Sequence, residues 1–550
     1  MPLVLLAFAA SAQTSPQPAS ELRFDIFEFV VEGDTLLGSA AIERAVYEFL
    51  GPRRGVADAE GARKALETAY QDAGFLSVSV VLPPQRVAEA GGEVRLMVVQ
   101  APVDTLRISG AQYTLPSVVK EALPSLAPGH VPNFNEMQQE LAQFSRISAD
   151  REITPILGAG EQPGTINVEL KVQDTLPLHG SVEVNSKQSQ NTRAGRLEAG
   201  VDYANLFQRG HDLGLSWFYS PARPTEANIQ SLNYNLPLGG PGDRLYVVLV
   251  NSNSNTPTPL GGATVSRGQT FRLRWRDELP ARAGLSHGLT WGATWRHLSD
   301  RNDDVAGVST ETPSLRYTTF SLAYDLQLQG SVNGRNSSLQ AELTVSPPGL
   351  NRRDIDCGDS GVIDQFACKR YIGVNSAGQR LGASAGFQVL GLSLAHREPL
   401  GHWALSGRLQ AQITDTPLVP AEQVVYGGFD SVRGYYEGEQ AGDLGAALRI
   451  QVDTPSWALS QRTALGGVLT WDNARLRRLY ALPSEVANIH MGSLGLGLRL
   501  STGLGMQATL NWARVLVDTG RLDSLGVQQP VSGNAAGRDQ RWDFSLRQSF

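Results

Sequence analysis

One serine in this sequence could act as a catalytic nucleophile. Ser360 lies in CGDSG, residues 357–361, a pattern that surrounds the nucleophile of some proteases. The next residue is Val362, where that pattern has glycine, and no histidine segment of the protease type precedes it. Because a serine hydroxyl without a positioned base is a weak nucleophile, we predict that the protein is not a protease.

The residue types that bind metals or cofactors are scattered along the chain. Its eight histidines form neither an H-E-x-x-H pair nor a cluster of ligands. Cys357 and Cys368 have no histidine close by, and two thiols alone make a poor zinc site. No phosphate-binding loop of the G-x-x-x-x-G-K type is present. We therefore predict no metal, no nucleotide, no other cofactor and no enzymatic activity.

A glycine-rich stretch, Tyr426 to Gly445, reads YGGFDSVRGYYEGEQAGDLG. It lies between two segments in which apolar and polar residues alternate, and loops of about twenty residues are functional or disordered. Arg433 presents a planar fork that can bind a carboxylate through two hydrogen bonds. Gly434 permits close approach of the backbone, and Tyr435 supplies a ring for packing. These residues favour a loop that is anchored to the protein.

The N-terminal residues predict export. Residues 1–12, MPLVLLAFAASA, are apolar and end in an A-x-A-like cleavage site, so we predict a signal peptide, followed by a Pro- and Ser-rich linker over 13–21. In an exported chain a disulfide between Cys357 and Cys368 is expected. The net charge is −7 and the basic residues are dispersed, which argues against a nucleic-acid partner.

Two α/β modules are predicted after the linker, at 22–100 and 101–175. Each follows the order strand, helix, helix, strand, strand. In the first module FDIFEFVVEGDTLL predicts one strand, and Asp58 is the expected N-cap of the second helix. The second module contains the predicted helices TLPSVVKEALPSL and NFNEMQQELAQFSR.

From 177 to 550 the helical periodicity disappears and segments of about ten residues alternate. In FSLAYDLQLQ the apolar residues from Phe320 to Leu328 share one face, and in FRLRWR the residues Phe271, Leu273 and Trp275 oppose three arginines. One apolar and one polar face per strand is typical of a barrel with lipid outside and water inside. We predict sixteen antiparallel transmembrane strands, with outer-membrane lipid as a partner.

The two modules resemble POTRA domains, the periplasmic peptide-capture modules of outer-membrane transport proteins. The resemblance rests on VVEGDTLL, AYQDAGFLSVSVVLPPQ and GGEVRLMVV in the first module, and on LRISGA and ILGAGEQPGTINVELKV in the second. SVRGY, residues 431–435, resembles the loop-six tip of the outer-membrane insertase and two-partner secretion superfamily. Two modules rather than three or five indicate the two-partner secretion transporters of the haemolysin and filamentous-haemagglutinin type.

This resemblance implies the site residues. Loop six would span 418–443 and fold into the lumen, with Val432, Arg433, Gly434 and Tyr435 at its tip. Its arginine would pair with Asp472 on the thirteenth strand, in the segment LGGVLTWDNARL. Ala474 stands where the family usually has glycine.

The resemblance also implies the function. The protein would lie in the outer membrane of a Gram-negative bacterium, with its POTRA domains in the periplasm, and would secrete a cognate exoprotein bound by those domains. Two alternatives are a barrel-assembly insertase and a diffusion porin. Some members of the family have a plug helix before the first POTRA domain. Here only about ten Pro- and Ser-rich residues separate the predicted cleavage site from Leu22, too few and too poor in helix formers for such a helix. Either the plug is absent or the true start of the chain lies upstream.

Overall fold

A computed structural model describes residues 23–550 except 34–35, 88–90, 190–191, 240–241, 254–266, 281–283, 299–300, 304–308, 312–314, 331–333, 349, 351–385, 480, 482–485, 523–527 and 531–539. The predicted signal peptide, the linker and the residues Cys357, Ser360 and Cys368 therefore lie outside the described residues. Two compact units make up the chain, Met1–Leu176 and Pro177–Phe550. Within the described ranges, no helix combines the length and apolarity needed to cross a membrane.

The first module of the N-terminal unit has two small sheets and two helices. Its elements are β1 (Arg23–Ile26), β2 (Glu28–Glu32), α1 (Ser39–Val46), a 3-10 turn (Tyr47–Phe49), β3 (Gly51–Gly55), α2 (Val56–Asp72), β4 (Ser79–Val81) and β5 (Glu93–Val99). The central β5 pairs with β2 in parallel and with β4 in antiparallel orientation. The single strand predicted from FDIFEFVVEGDTLL is wrong, because both Phe27 N and Glu28 N donate to Gly92 O and the chain bends there. As a result β1 leaves this sheet and pairs with β3.

The start of α2 also differs from the prediction. The N-cap is Gly55, and Asp58 lies in the first turn, where its carboxylate accepts a hydrogen bond of 2.8 Å from Gly55 N. This hydrogen bond lowers the pKa of Asp58 below its ordinary value. Asp58 therefore still binds a free N–H at the helix end, but from a position inside the helix. Along α2, the side chains of Ala62, Leu66 and Tyr70 are fully buried in the module's core.

The second module has the predicted order of elements. These are β6 (Val103–Ser109), α3 (Pro116–Ala122), a 3-10 turn (Pro124–Leu126), α4 (Phe134–Ile147), β7 (Arg151–Ala159) and β8 (Ile166–Asp174). β8 is the central strand, with β6 and β7 at the two edges. Asn133 caps α4 and also donates to Ala73 O after α2, and Phe134 N donates to Gly74 O. The two modules therefore share a hydrogen-bonded junction.

The C-terminal unit is a closed antiparallel barrel of sixteen strands, as predicted. In order these are Leu178–Asn185, Arg196–Leu206, His211–Tyr219, Asn228–Pro237, Arg244–Ser252, Gly268–Glu278, Leu285–Leu298, Leu315–Gln329, Asn336–Ser346, Phe387–Leu400, Trp403–Ile413, Leu444–Asp453, Thr463–Arg477, Asn488–Thr502, Met506–Val517 and Gln540–Ser549. Short paired pieces lie outside this sheet at Arg301–Asp303 with Ser309–Glu311, Val424–Tyr426 with Gln440–Gly442, and Gly520–Leu522 with Gln528–Pro530. Trp457–Ser460 pairs with the beginning of the thirteenth strand, and Pro420–Glu422 is a 3-10 turn.

The two faces of the strands follow the predicted alternation. On the sixth strand the apolar side chains of Phe271, Leu273 and Trp275 are 39%, 37% and 44% exposed on the outside. The arginines that alternate with them point inward. Two of these arginines, Arg274 and Arg276, form ion pairs with Glu342 and Asp325. The barrel thus has an apolar exterior and a charged lumen, which is the arrangement a membrane-spanning barrel requires.

The first and last strands close the barrel through a short seam. Five residue pairs join them, from Ser181 opposite Ser549 to Asn185 opposite Ser545. In contrast, the thirteenth and fourteenth strands pair along their full length, from Thr463 to Arg477. The seam is therefore held by fewer backbone hydrogen bonds than this neighbouring pair of strands.

Candidate functional site

The loop between the eleventh and twelfth strands, residues 414–443, folds back among the inward faces of the barrel strands. Within it, Val424–Tyr426 and Gln440–Gly442 pair and bring the tip into the lumen. The side chains of Val432 and Tyr435 are buried at the tip, and Arg433 is only 3% exposed. A loop that projected into water would leave these residues accessible, so this loop, which we call loop six, occupies the lumen.

Arg433 and Asp472 form a buried, two-pronged ion pair. Arg433 Nε donates to Asp472 Oδ2 at 2.7 Å, and Arg433 Nη2 donates to Oδ1 at 2.9 Å. The backbone N–H of Arg433 also donates to Oδ2, at 3.1 Å. Asp472 is fully buried on the inward face of the thirteenth strand. The structure thus brings together the two charges that the sequence resemblance pairs.

Polar groups on the neighbouring twelfth strand surround this pair. Gln451 Oε1 accepts from Arg433 Nη1 at 3.4 Å, and Arg449 Nε lies 3.7 Å from Asp472 Oδ1. Arg449 Nη1 also donates to Asp430 O in the loop. Two guanidinium groups therefore face one carboxylate, so removal of Asp472 would leave both cations without their shared counter-charge.

Gly434 and Tyr435 fix the tip of loop six against the fourteenth and fifteenth strands. Tyr435 O–H donates to Gly492 O at 3.1 Å, and Gly492 N donates back to the same hydroxyl oxygen at 3.0 Å. Gly434 has a φ of +92°, and a Cβ at this position would lie 3.2 Å from Val515 Cγ2. Glycine therefore supplies both the left-handed backbone and the space that this close approach needs.

An apolar cluster surrounds the polar contacts of the tip. It contains Val424, Tyr426, Val432, Tyr435, Ala447, Ala474, Leu476, Ile489, Met491 and Val515. Ala474, which departs from the usual family glycine, is 1% exposed within this cluster. Its methyl group thus adds to the apolar packing two residues along the strand from Asp472.

A second anchor of loop six lies at the opposite side of the lumen. Glu422 Oε1 lies 2.7 Å from Arg296 Nη1 on the seventh strand and accepts a hydrogen bond of 2.7 Å from the Tyr317 hydroxyl on the eighth. The side chains of Arg296 and Glu422 are about nine-tenths buried. Sequence analysis missed this pair, because no local pattern relates two residues that come together only when the barrel closes.

Asp443 holds the base of loop six. Its buried carboxylate accepts from Leu418 N at 2.9 Å, from Gln423 Nε2 at 3.1 Å and from Leu479 N at 2.6 Å. Sequence analysis did not identify Asp443. Its position immediately before the alternating twelfth strand was the one local feature that could have indicated a role in holding the loop. Asp443 ties both ends of the loop to the segment after the thirteenth strand.

Loop six also contacts the end of the seam. Glu437 N donates to Gln188 O at 3.0 Å, and Lys187 Nζ lies 3.4 Å from Asp430 Oδ2. On the last strand, the Arg541 guanidinium lies 4.5 Å from the centre of the Tyr436 ring. The loop therefore contacts both strands where their direct pairing ends.

The side chains that could bind a metal ion are scattered in the part of the chain that the structure describes. Among the described residues, no group of three or more His, Cys, Asp or Glu side chains could hold a metal ion. The buried charges of Arg433, Glu422 and Asp443 each bind protein groups. The arrangement can hold a loop in a lumen.

Comparison with protein families gives two matches. Residues 164–473 match the family described as haemolysin secretion/activation protein ShlB/FhaC/HecB. Residues 24–101 match the POTRA domain of the ShlB type. The first match covers the end of the second module and the barrel as far as Asn473, and it includes loop six and Asp472.

Curated relatives are transporters. The chain is 25% identical over 462 residues to the outer membrane transporter CdiB of Escherichia coli O6:K15:H31, which covers 81% of this chain and 71% of that protein. It is 21% identical over 468 residues to the heme/hemopexin transporter protein HuxB of Haemophilus influenzae, covering 82% of this chain and 76% of that protein.

Solved structures show the same fold. The structure of CdiB from Escherichia coli has a TM-score of 0.63 at 19% identity and covers 98% of this chain and 93% of that one. The structure of BamA from Haemophilus ducreyi lacking POTRA domains 1–3 has a TM-score of 0.54 at 12% identity, with 96% and 100% covered. Because the family match covers more than half of the chain, the protein belongs to the haemolysin secretion/activation family ShlB/FhaC/HecB and is an outer-membrane transporter of the two-partner secretion type.

Proposed function

We infer that the POTRA modules capture one cognate exoprotein in the periplasm and that the barrel lumen conducts it outward. Loop six is the gate, and the Arg433–Asp472 pair holds it closed. The observation that carries this function is the buried, doubly hydrogen-bonded contact between these two residues, which fixes a flexible loop inside the conducting path. No nucleotide or metal takes part, and folding of the exoprotein outside the cell gives export its direction.

Loop six occupies part of the lumen and leaves a cavity beside it. This cavity of 510 Å³ lies between the loop and the ninth to eleventh strands, and its lining includes Glu342, Arg408 and Tyr426. This volume is in the range of a site for a small molecule. Because loop six is buried and bound in the lumen, export of a chain through the lumen requires the loop to move, and the strength of its anchors sets how readily it does so.

The edge of β7 is a candidate surface for capture. The hydrogen bonds from Gly160 N to Thr165 O and from Thr175 N to Asp150 O set the register with β8. In this register the even-numbered residues of β7 bond to β8, so the backbone groups of Ile153 and Leu157 point to the open edge. An extended segment can add to such an edge through main-chain hydrogen bonds.

The experiment for the proposed function compares secretion by Arg433→Ala with wild type. We expect export of the cognate exoprotein to fall strongly, because Asp472 loses its hydrogen-bonded partner at a cost of about 3–5 kcal/mol. The barrel should still assemble, as judged by its heat-modifiable migration in gels. The exchange Arg433→Asp with Asp472→Arg should restore part of the export.

Arg335→Ala is the matched control, since this arginine pairs with Glu398 at a partly exposed site far along the sequence from loop six. Normal export by Arg433→Ala would contradict the role of the pair. Loss of many outer-membrane barrels after depletion of the protein would indicate an insertase instead. A large, steady conductance that is the same in wild type and in Arg433→Ala would indicate a porin.

A further inference from the structure

The segment of loop six from Leu418 to Glu422 lies on a two-part surface of the luminal wall. One part is polar, since Glu422 binds Arg296 and the Tyr317 hydroxyl. The other part is apolar: it packs Leu418, Val419 and Ala421 against Leu298, Tyr317, Phe387 and Val389. We call this the wall site. It binds a short stretch of polypeptide in which apolar residues precede a carboxylate.

A further cation stands beside the wall site. Arg272 lies opposite Thr294 on the seventh strand, and Arg296 is two residues further along that strand. Both side chains therefore point into the lumen as diagonal neighbours, with about 7–8 Å between such positions. Within the described part of the chain, Arg272 Nε is buried and lacks a hydrogen-bond partner.

Arg274 Nε is likewise buried without a partner among the described residues, but Arg274 Nη2 donates to Glu342 at 2.8 Å. Glu342 and Glu422 both attract Arg272, yet they already bind Arg274 and Arg296. Three cations thus share two carboxylates at this part of the wall, and a cation away from water is more stable with a counter-charge of its own. An additional carboxylate at the wall site would therefore bind to Arg272 in preference to remaining in water.

We propose that the wall site binds a segment of the exported chain in which apolar residues precede two carboxylates, and that Leu418–Glu422 occupies this site in the resting protein. The inference rests on the proposed function, because it makes the exported chain the ligand. The first carboxylate takes the place of Glu422 on Arg296, and the second pairs with Arg272. Loop six then loses its anchor on the seventh and eighth strands and keeps its other contacts, including the ion pair of Arg433 with Asp472.

The second carboxylate is what allows the exported chain to compete. Leu418–Glu422 is tethered beside the site and therefore has a high effective concentration. A segment with the same single carboxylate would be at a disadvantage. Glu422 binds Arg296 directly and attracts Arg272 from further away. Direct pairing of a second carboxylate with Arg272 supplies the extra binding that offsets the tether.

The test uses the purified full-length protein in planar lipid bilayers and three hexapeptide probes. All three have an acetylated N-terminus and an amidated C-terminus, so that only side chains supply carboxylates. LVPAEQ repeats residues 418–423, LVPAEE adds the second carboxylate, and LVPAQQ has none. The measurement is the peptide concentration that doubles the frequency of channel opening. We expect LVPAEE to act at about tenfold lower concentration than LVPAEQ, the effect of one charged hydrogen bond, and LVPAQQ to be inactive.

Variants assign the effect to the two arginines. In Arg272→Gln the advantage of LVPAEE over LVPAEQ should disappear, and in Arg272→Lys part of it should remain. In Arg296→Gln both acidic peptides should lose activity, whereas Arg335→Gln should behave like wild type. Equal potency of all three peptides on wild type, or an undiminished advantage of LVPAEE in Arg272→Gln, would overturn the wall site.

Failure of the wall site and failure of the proposed function give different results. If the peptides discriminate as expected but the exoprotein is exported without this protein, the proposed function fails and the wall site stands as a peptide site. If export depends on the protein but the peptides act alike, the proposed function stands and the wall site does not.

Discussion

Gly434 allows loop six to approach the fifteenth strand closely. Its φ of +92° is a conformation that costs other residues about 1–2 kcal/mol, and an added Cβ would meet both Val515 Cγ2 at 3.2 Å and Ala513 Cβ at 3.4 Å. The neighbouring Arg433 and Tyr435 make their contacts from this backbone position. An added Cβ at Gly434 would therefore disturb the contacts of both Arg433 and Tyr435.

Gly434→Ala should loosen loop six without removing a charge. We expect more frequent channel opening in planar bilayers, because both the backbone strain and the contact with Val515 oppose the seated tip. The control is Gly466→Ala, since a Cβ at Gly466 on the thirteenth strand meets nothing within 4 Å. Identical opening frequencies in the two variants would show that the tip adapts to the added methyl group.

At this scale the sequence predicted the residues of a local pattern and missed those of long-range pairs. Arg433 stands in VRGY and could be named from the sequence, and the resemblance supplied Asp472 as its partner. Glu422 and Arg296 are separated by more than a hundred residues and carry no pattern of their own. Which charges meet inside a barrel depends on strand register and shear, and composition does not specify these.

Among the elements, β7 combines an open edge with a residue that limits its use. Pro155 lies on the same side of the strand as Ile153 and Leu157, and it has no N–H to offer. An added strand can therefore gain a full set of hydrogen bonds only to one side of Pro155. This shortens the segment that β7 can hold and protects the edge against pairing with a second copy.

Leu157→Pro should weaken capture of the exoprotein. It removes the N–H that points to the open edge, and it spares the bonds to β8, since Leu157 lies opposite Val168 in a pair that is not hydrogen bonded. We expect exoprotein bound to the protein, measured by co-purification from periplasm, to fall several-fold. Leu157→Ala keeps the N–H and should bind normally; equal loss in both variants would assign the effect to the side chain.

Helices and strands differed in how well the sequence located them. The order of elements in both modules and the sixteen alternating strands were predicted correctly. The break at Phe27 was not, because the alternation continues through it and only hydrogen bonds to the distant Gly92 divide the strand. The predicted start of α2 at Asp58 lies after the observed N-cap, Gly55. The sequence could not separate the two because both an N-cap side chain and a first-turn carboxylate bind free N–H groups.

In the whole molecule, the seam distinguishes transport through the lumen from release through the wall. Ser181 and Ser549 stand opposite each other in the seam. The adjacent residues Gly180 and Phe550 exchange both backbone hydrogen bonds. Ser181 and Ser549 therefore form a pair without direct backbone hydrogen bonds, in which the Cα atoms lie about 4.5 Å apart. Such a pair has the spacing that a disulfide needs.

A disulfide across the seam should leave secretion intact. The variant combines Ser181→Cys and Ser549→Cys with Cys357→Ser and Cys368→Ser, and oxidation would lock the first strand to the last. Because the exoprotein passes through the lumen, we expect export equal to that of the reduced protein. The control has only Cys357→Ser and Cys368→Ser. If the oxidised seam variant did not export and its export recovered on reduction, the seam would have to open during transport.

The short seam also determines how the barrel is completed. Its two strands lie at opposite ends of the barrel unit, so their pairing closes the largest loop in the fold and carries the highest entropic cost of any strand pair. Fifteen neighbouring pairs can form before it, and until it forms the nascent sheet has two unpaired edges. At those edges an unfinished barrel would associate with a chaperone or aggregate. A chain without its last strand could not close the barrel and would keep both edges unpaired.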